Sequence, residues 1–183
     1  MNIMRSIKIR VEKLRFRINP VRFARKIGVK IGNGTCFYAP EYGMFSTEPW
    51  LITIGNNCHI TYGVRFITHD GGTLTISNEE CGGGKYFTIC GNITVGDNVY
   101  IGERTTILPG VSIGDNVIIG CHSVVSKNIP SNTVAAGVPC KVINSREKYI
   151  EKMNEIMAGN NLRYFSDLEE MHSLNPRKNR TSI

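Results

Sequence analysis

From Val95 onward the chain places a β-branched aliphatic at every sixth position: Val95, Ile101, Ile107, Ile113, Ile119 and Val125. Ile and Val account for 36 of the 183 residues, so six such hits in one frame have a chance on the order of one in ten thousand. A step of six fits neither a helix, at about 3.6 residues per turn, nor a long strand, in which side chains alternate. It fits a chain that turns a corner after each short strand and stacks its coils, with the aliphatics lining one interior. Val99, Thr105, Val111, Val117 and Ser123 come four residues after the first five of the series. Gly96, Gly102, Gly114 and Gly120 directly follow four of its members, so small or branched residues recur where space is tight. The Gly-Asp-Asn of VGDN and IGDN supplies corners that tolerate unusual backbone angles and hydrogen-bond locally. The pattern predicts an all-β solenoid.

Earlier fragments keep the same step, from Ile31 to Phe37 and through Ile54, Ile60 and Phe66, with Cys58 at the small inward position. The repeat breaks between these fragments and again over residues 70–88, DGGTLTISNEECGGGKYFT. That second break, with five glycines, reads as a loop thrown out of the stack, and functional residues concentrate on such loops. His69 stands at its root in GVRFITHDGG. An ordinary turn histidine and a catalytic one both fit this stretch taken alone.

A solenoid domain is expected over residues 28–143, with the protruding loop at 70–88. Its open ends need caps. At the start, residues 1–27 form a basic arm in which Asn19-Pro20 begins a short helix that Gly28 stops. Upstream, Ile7, Val11, Leu14, Ile18 and Val21 make a helical stripe among basic residues. At the other end, residues 144–174 read as a helical cap, with Tyr149, Met153 and Ile156 on one face and a capping box at Ser166–Glu169. A flexible tail is expected over 175–183.

The net charge of +7 is local: residues 1–30 carry ten Lys/Arg against one Glu, which leaves 12 basic and 14 acidic residues beyond. Such an arm can pack on the first coil or on a neighbouring subunit, or meet an anionic membrane; no nucleic-acid partner is expected. No run approaches the roughly 18 apolar residues of a membrane span, and the start lacks the apolar core of a signal peptide. A cytoplasmic protein is expected, at most peripheral to the inner face of the membrane. Cysteines 36, 58, 81, 90, 121 and 140 form no CxxC pair, and they read as free thiols.

With these features the chain resembles the hexapeptide-repeat acyltransferases, whose fold is a left-handed parallel β-helix. The resemblance runs from about Gly28 to Ile143. It is most specific in ITVGDNVYIGERTTILPGVSIGDNVIIGCHSVVSKNIPSNTVAAGVPCKVI, residues 93–143, which is similar to the galactoside and maltose O-acetyltransferase branch. EPWLITIGN and GVRFITHDGG resemble the O-acetyltransferases of capsule, exopolysaccharide and O-antigen gene clusters. The resemblance implies an acetyl-CoA donor, a saccharide acceptor that can be lipid-linked, a homotrimer, a site between neighbouring subunits, and a histidine general base matched by His69. A neutral imidazole, with an unperturbed pKa near ~6.5, can take the proton of a sugar hydroxyl as that oxygen attacks the thioester carbonyl. Glu48 and Asp70 are both candidates to orient the second ring nitrogen or to contact the acceptor.

For the donor the resemblance points to Tyr100, Glu103, Cys121, Ser126, Lys127 and Lys141. Tyr100 takes the place of a tryptophan near the pantetheine arm, and the two lysines can meet CoA phosphates. Two departures stand out. Pro40, after the shared FYA, replaces an acceptor-contacting Asn, so the acceptor pocket differs from that of a simple galactoside enzyme. Asn144 replaces a basic residue expected on the phosphate side. Three alternatives use the same fold: an N-acetyltransferase acting on an amino sugar or nucleotide sugar, a γ-carbonic-anhydrase-like metalloenzyme, and an inactive scaffold. Histidines 59, 69, 122 and 172 lack the close pair such a metal site needs, and no metal is expected.

Overall fold

The computed structural model describes residues 3–76, 80 and 88–159. The expected helix at 166 and the tail from 175 lie outside the described residues. Two helices lead in, α1 (Ile3–Ile18) and α2 (Pro20–Lys26). The side chain of Asn19 caps α2 by accepting from the Arg22 N–H at 2.9 Å, and Gly28, with φ +110°, ends it.

Short strands then wind in coils. The first coil holds β1 (Lys30–Ile31) and β2 (Cys36–Phe37), and the second holds β3 (Ile52–Ile54), β4 (His59–Ile60) and β5 (Arg65–Phe66). An excursion follows, bounded by β6 (His69–Asp70) and β7 (Ile89–Cys90). The third coil is β8 (Ile93–Val95), β9 (Tyr100–Ile101) and β10 (Thr106–Ile107), and the fourth is β11 (Ser112–Ile113), β12 (Ile118–Ile119) and β13 (Val124–Val125). β14 (Thr133–Ala136) and β15 (Lys141–Ser145) close the stack.

The strands pair into three faces: β1-β3-β8-β11, then β2-β4-β9-β12-β14 with β15 added antiparallel at the edge, and β5-β10-β13. Within each face the coils pair in parallel. Val95 meets Ile113, Ile101 meets Ile119, and Ile107 meets Val125. Each partner lies 18 residues on, three steps of six, which makes the solenoid a three-sided parallel β-helix.

Both sequence series are inside. Val95, Ile101, Ile107, Ile113, Ile119 and Val125 are buried, as are Val99, Thr105, Val111, Val117 and Ser123. Each fully buried aliphatic contributes roughly 1.5–3 kcal/mol. The two hydroxyls in the second series are satisfied by one carbonyl: Thr105 and Ser123 both donate to the Gly120 carbonyl, at 3.0 and 2.7 Å. Corners need left-handed backbone, and asparagine supplies it at residues 57, 98, 116 and 132. There the side chains form a ladder, Asn98 donating to Asn116 at 3.2 Å and Asn116 to Asn132 at 3.1 Å. Gly102 is required by close approach, since a Cβ there would lie 2.5 Å from the Cys121 nitrogen.

The arm closes the first coil through a different residue from the expected stripe. Phe16 and Ala24 join the core, and Phe16 packs on Phe23 and Phe45, while Ile7, Val11, Leu14 and Ile18 face outward. The aromatic ring, rather than the repeating aliphatics, fits the wide mouth that Phe37, Phe45 and Phe66 line. After β15 the chain forms α3 (Arg146–Ala158), whose Tyr149, Met153 and Ile156 are partly buried.

Candidate active site

His69 owes its position to two backbone devices. Phe66 ends the last short strand of the second coil, and Thr68 follows it into full burial. The chain then leaves the stack as an antiparallel ladder, His69 opposite Cys90 and Asp70 opposite Ile89, so both ends of the excursion are clamped at its root. A further bond from the Gly91 N–H to the Thr68 carbonyl, 2.9 Å, fixes the residue before the histidine.

Glu48 arrives from the coil below. Residues 44–46 add a rung beside β5: the Phe66 N–H donates to the Met44 carbonyl at 2.9 Å, and the Ser46 N–H to the Phe66 carbonyl at 3.2 Å. Two residues later Glu48 precedes the single 3₁₀ turn Pro49–Leu51, and its side chain makes no capping bond to that turn. Its carboxylate is therefore available to reach across to the imidazole.

There, Glu48 Oε2 lies 2.8 Å from His69 Nδ1. The same oxygen accepts the Thr68 hydroxyl at 2.7 Å, and Oε1 accepts the Thr47 hydroxyl at 2.6 Å. The Thr47 and Ser46 hydroxyls lie 3.3 and 3.4 Å from Nδ1. Hydrogen bonds from Thr47, Thr68 and His69 hold the Glu48 carboxyl down to about 2 from its usual 4.5. At neutral pH it is ionised and can only accept. Nδ1 must then carry the proton, and a neutral His69 presents an unprotonated Nε2. The side chains of His69 and Glu48 remain 35% and 24% exposed, so the pair is open to an incoming molecule.

Asp70 is turned elsewhere. Its Oδ1 accepts the Gly72 N–H at 2.8 Å and shapes the first turn of the excursion. The structure thus brings one of the two acidic candidates to the imidazole. It also adds Ser46, Thr47 and Thr68, which sequence reasoning missed; the pairing of each dyad member with a preceding threonine, Thr47-Glu48 and Thr68-His69, was the available signal.

The donor-side candidates occupy the later coils. Tyr100 projects from β9 and is half exposed. Glu103 and Cys121 stack at one corner, where the His122 N–H donates to the Glu103 carbonyl at 2.7 Å. Ser126, Lys127 and Lys141 are exposed. Among the described residues no hydrogen bond joins His69 to any of these six. His59 stacks on Tyr38, whose hydroxyl lies 2.9 Å from its Nδ1, and His122 is an exposed corner residue with φ +54°. Among the described residues no three His, Cys, Asp or Glu side chains converge as a metal site would require.

Residues 88–127 match the model of the bacterial transferase hexapeptide family (six repeats). Protein CapG of Staphylococcus aureus is 44% identical over 133 residues, which cover 72% of this chain and 74% of that protein. The chain belongs to the hexapeptide-repeat acyltransferases. A galactoside O-acetyltransferase of Escherichia coli K12 is 38% identical over 138 residues, 71% of this chain and 62% of that enzyme, so the match spans less than two thirds of the relative's own length. Among solved structures, the hexapeptide-repeat-containing acetyltransferase VCA0836 of Vibrio cholerae superposes with a TM-score of 0.53 at 24% identity, over 68% of this chain and 77% of that one. That likeness concerns the fold: the three-faced coil described above is the solenoid expected from the repeat, and it is the family's left-handed parallel β-helix, as the resemblance implied.

Proposed function

We propose that the protein transfers the acetyl group of acetyl-CoA to a saccharide hydroxyl, with His69 as general base. The observation that carries this reading is the 2.8 Å contact between His69 Nδ1 and an ionised Glu48, which leaves Nε2 as the basic nitrogen. Nε2 takes the hydroxyl proton while that oxygen bonds to the thioester carbonyl carbon. The C–S bond then breaks, and the CoA sulfur recovers the proton from the imidazolium. Glu48 holds the ring and stabilises its positive charge during the transfer. Asp70 serves the turn instead.

The name of the Escherichia coli relative supports a sugar acceptor and an O-acetyl product. EPWLITIGN and GVRFITHDGG support a role in surface polysaccharide biosynthesis, and Pro40 argues for an acceptor other than a simple galactoside. Tyr100, Glu103, Cys121, Ser126, Lys127 and Lys141 bind the donor, the lysines at the phosphates. The protein acts as a homotrimer whose sites lie between neighbours, as the family resemblance implies. The enzyme works in the cytoplasm, on a lipid-linked acceptor at the inner face of the membrane.

The test is direct. Purified protein is incubated with radiolabelled acetyl-CoA and a panel of saccharides, and the labelled product is treated with hydroxylamine. Loss of label identifies an ester and supports the reading. A hydroxylamine-stable product would be an amide and would assign the chain to amino-group acetylation.

A further inference from the structure

Helix α1 turns its most regular apolar stripe away from the protein. Ile7, Val11, Leu14 and Ile18 are spaced i, i+4, i+7 and i+11, which places them within roughly 60° of one another around the helix. They are 53, 41, 59 and 73% exposed, whereas Phe16 on the opposite side is 2% exposed. Four large aliphatics in one uncovered strip are more than the scattered apolar residues of an ordinary surface.

Cations frame the strip. By helical position Arg10 and Arg17 run along one edge and Arg15 along the other, and all three are exposed. Where the strip ends, α1 and α2 enclose a cleft of about 410 Å³ lined by Arg15, Ile18, Asn19, Arg22, Phe23 and Lys26. Half of that lining is cationic and none of it acidic. Neither the Glu48–His69 nor the Glu103–Arg104 ion pair involves any of these cations. Arg25 behaves differently, donating to the carbonyls of Ile31 and Gly32 as part of the fold. The single acid of the arm, Glu12, lies away from the strip and accepts the Tyr42 hydroxyl at 3.2 Å.

We propose that this face docks on an anionic phospholipid surface, the strip bedding at the acyl boundary and the Arg15–Arg22–Lys26 cleft receiving a lipid phosphate. An apolar strip edged with arginine is the composition of an interfacial helix, and three donors around one recess suit a phosphate oxygen set. A two-fold pairing of identical strips is a poor alternative, since it would set Arg10, Arg15 and Arg17 against their own counterparts with no acid between them. A contact with a neighbour in the homotrimer is the alternative that the oligomer measurement below tests. The inference rests on the membrane-side placement proposed above and needs no acetyl transfer to be tested.

Full-length protein is sedimented with vesicles of phosphatidylcholine alone and of phosphatidylcholine with phosphatidylglycerol, at low and high salt. Expected is binding to the anionic vesicles only, weakened by salt. The triple variant R15A/R22A/K26A should bind on the order of 100-fold more weakly, and V11Q/L14Q/I18Q about tenfold or more. Thermal melts of both variants confirm the fold, and acetyl transfer to a soluble acceptor should be unchanged, which separates failure of docking from failure of the catalytic reading. Binding to neither vesicle, equal binding to both, or undiminished binding by the charge variant overturns the proposal. So does loss of the oligomer in the strip variant, read by sedimentation equilibrium, which would assign the strip to a second copy.

Discussion

Glu48 and His69 are 21 positions apart in sequence, and their side chains meet at 2.8 Å because the coil below lends a rung to the strand that precedes the histidine. The contact fixes which imidazole nitrogen carries the proton, and it gives the pair two separable roles that substitution can distinguish.

If His69 is the base, replacing it by Ala removes it and leaves the proposed donor residues on other coils untouched. Turnover should fall by about 10²–10⁴-fold while acetyl-CoA binding persists. Steady-state kinetics and calorimetry check the two halves of that statement. Near-normal turnover on the true acceptor would remove His69 from the reaction.

Glu48→Gln keeps the shape and an acceptor oxygen, but loses the charge that favours the imidazolium. A fall in kcat of about tenfold or more, with little change in the KM for acetyl-CoA, is expected. The substitution also bears on stability. The folded carboxyl titrates near 2 against a usual 4.5, so Glu48 stabilises the fold above about pH 4.5, and that contribution is lost as pH falls towards 2. Acid denaturation followed by circular dichroism should show the wild type's advantage over Glu48→Gln shrinking across that window. An advantage that grows on acidification would contradict the depressed value.

Lys127 and Lys141 are exposed. If they meet the CoA phosphates, changing both to Ala should raise the KM for acetyl-CoA more than it lowers kcat, because the phosphates bind equally in ground and transition states. Unaltered CoA affinity in calorimetry would assign the two lysines to surface charge.

Gly102→Ala tests the packing of the coils. The added methyl would meet the Cys121 backbone nitrogen at 2.5 Å, with backbone rather than a flexible side chain in the way. A destabilisation of about 1–3 kcal/mol is expected from urea unfolding. At Gly110, where a Cβ would meet nothing within 4 Å but φ is +81°, the cost of Ala comes from backbone strain alone, about 1–2 kcal/mol.

Much of this architecture is legible in one dimension because each coil repeats the same local demand. Val95 through Val125 are all buried, and the series from Val99 to Ser123 is buried beside them. The site is less legible because it is made where the repeat fails. His69 stands out as an imidazole at the root of a glycine-rich break, but the ladder that holds it pairs residues separated by an insertion with no period of its own. Likewise, the sequence offers Glu48 and Asp70 as equal partners, since both are acids near a turn. Only the rung contributed by residues 44–46 decides between them, and irregular backbone of that kind leaves no periodic trace. The arm shows the opposite failure: its aliphatic stripe is a clear helical signal, yet the core takes Phe16, whose ring fills a mouth lined by other aromatics.

The two-rung ladder at the root of the excursion also separates inheritance of the base from inheritance of whatever the excursion contacts. Both strands are fixed by backbone bonds between His69–Asp70 and Ile89–Cys90, which any side chains can make. Residues between those rungs can be lengthened, shortened or exchanged without moving the imidazole, because the entropy of closing such a loop changes only slowly with its length. Variants of this chain with an exchanged excursion are therefore expected to keep the backbone of His69 where it is, held by the same two rungs.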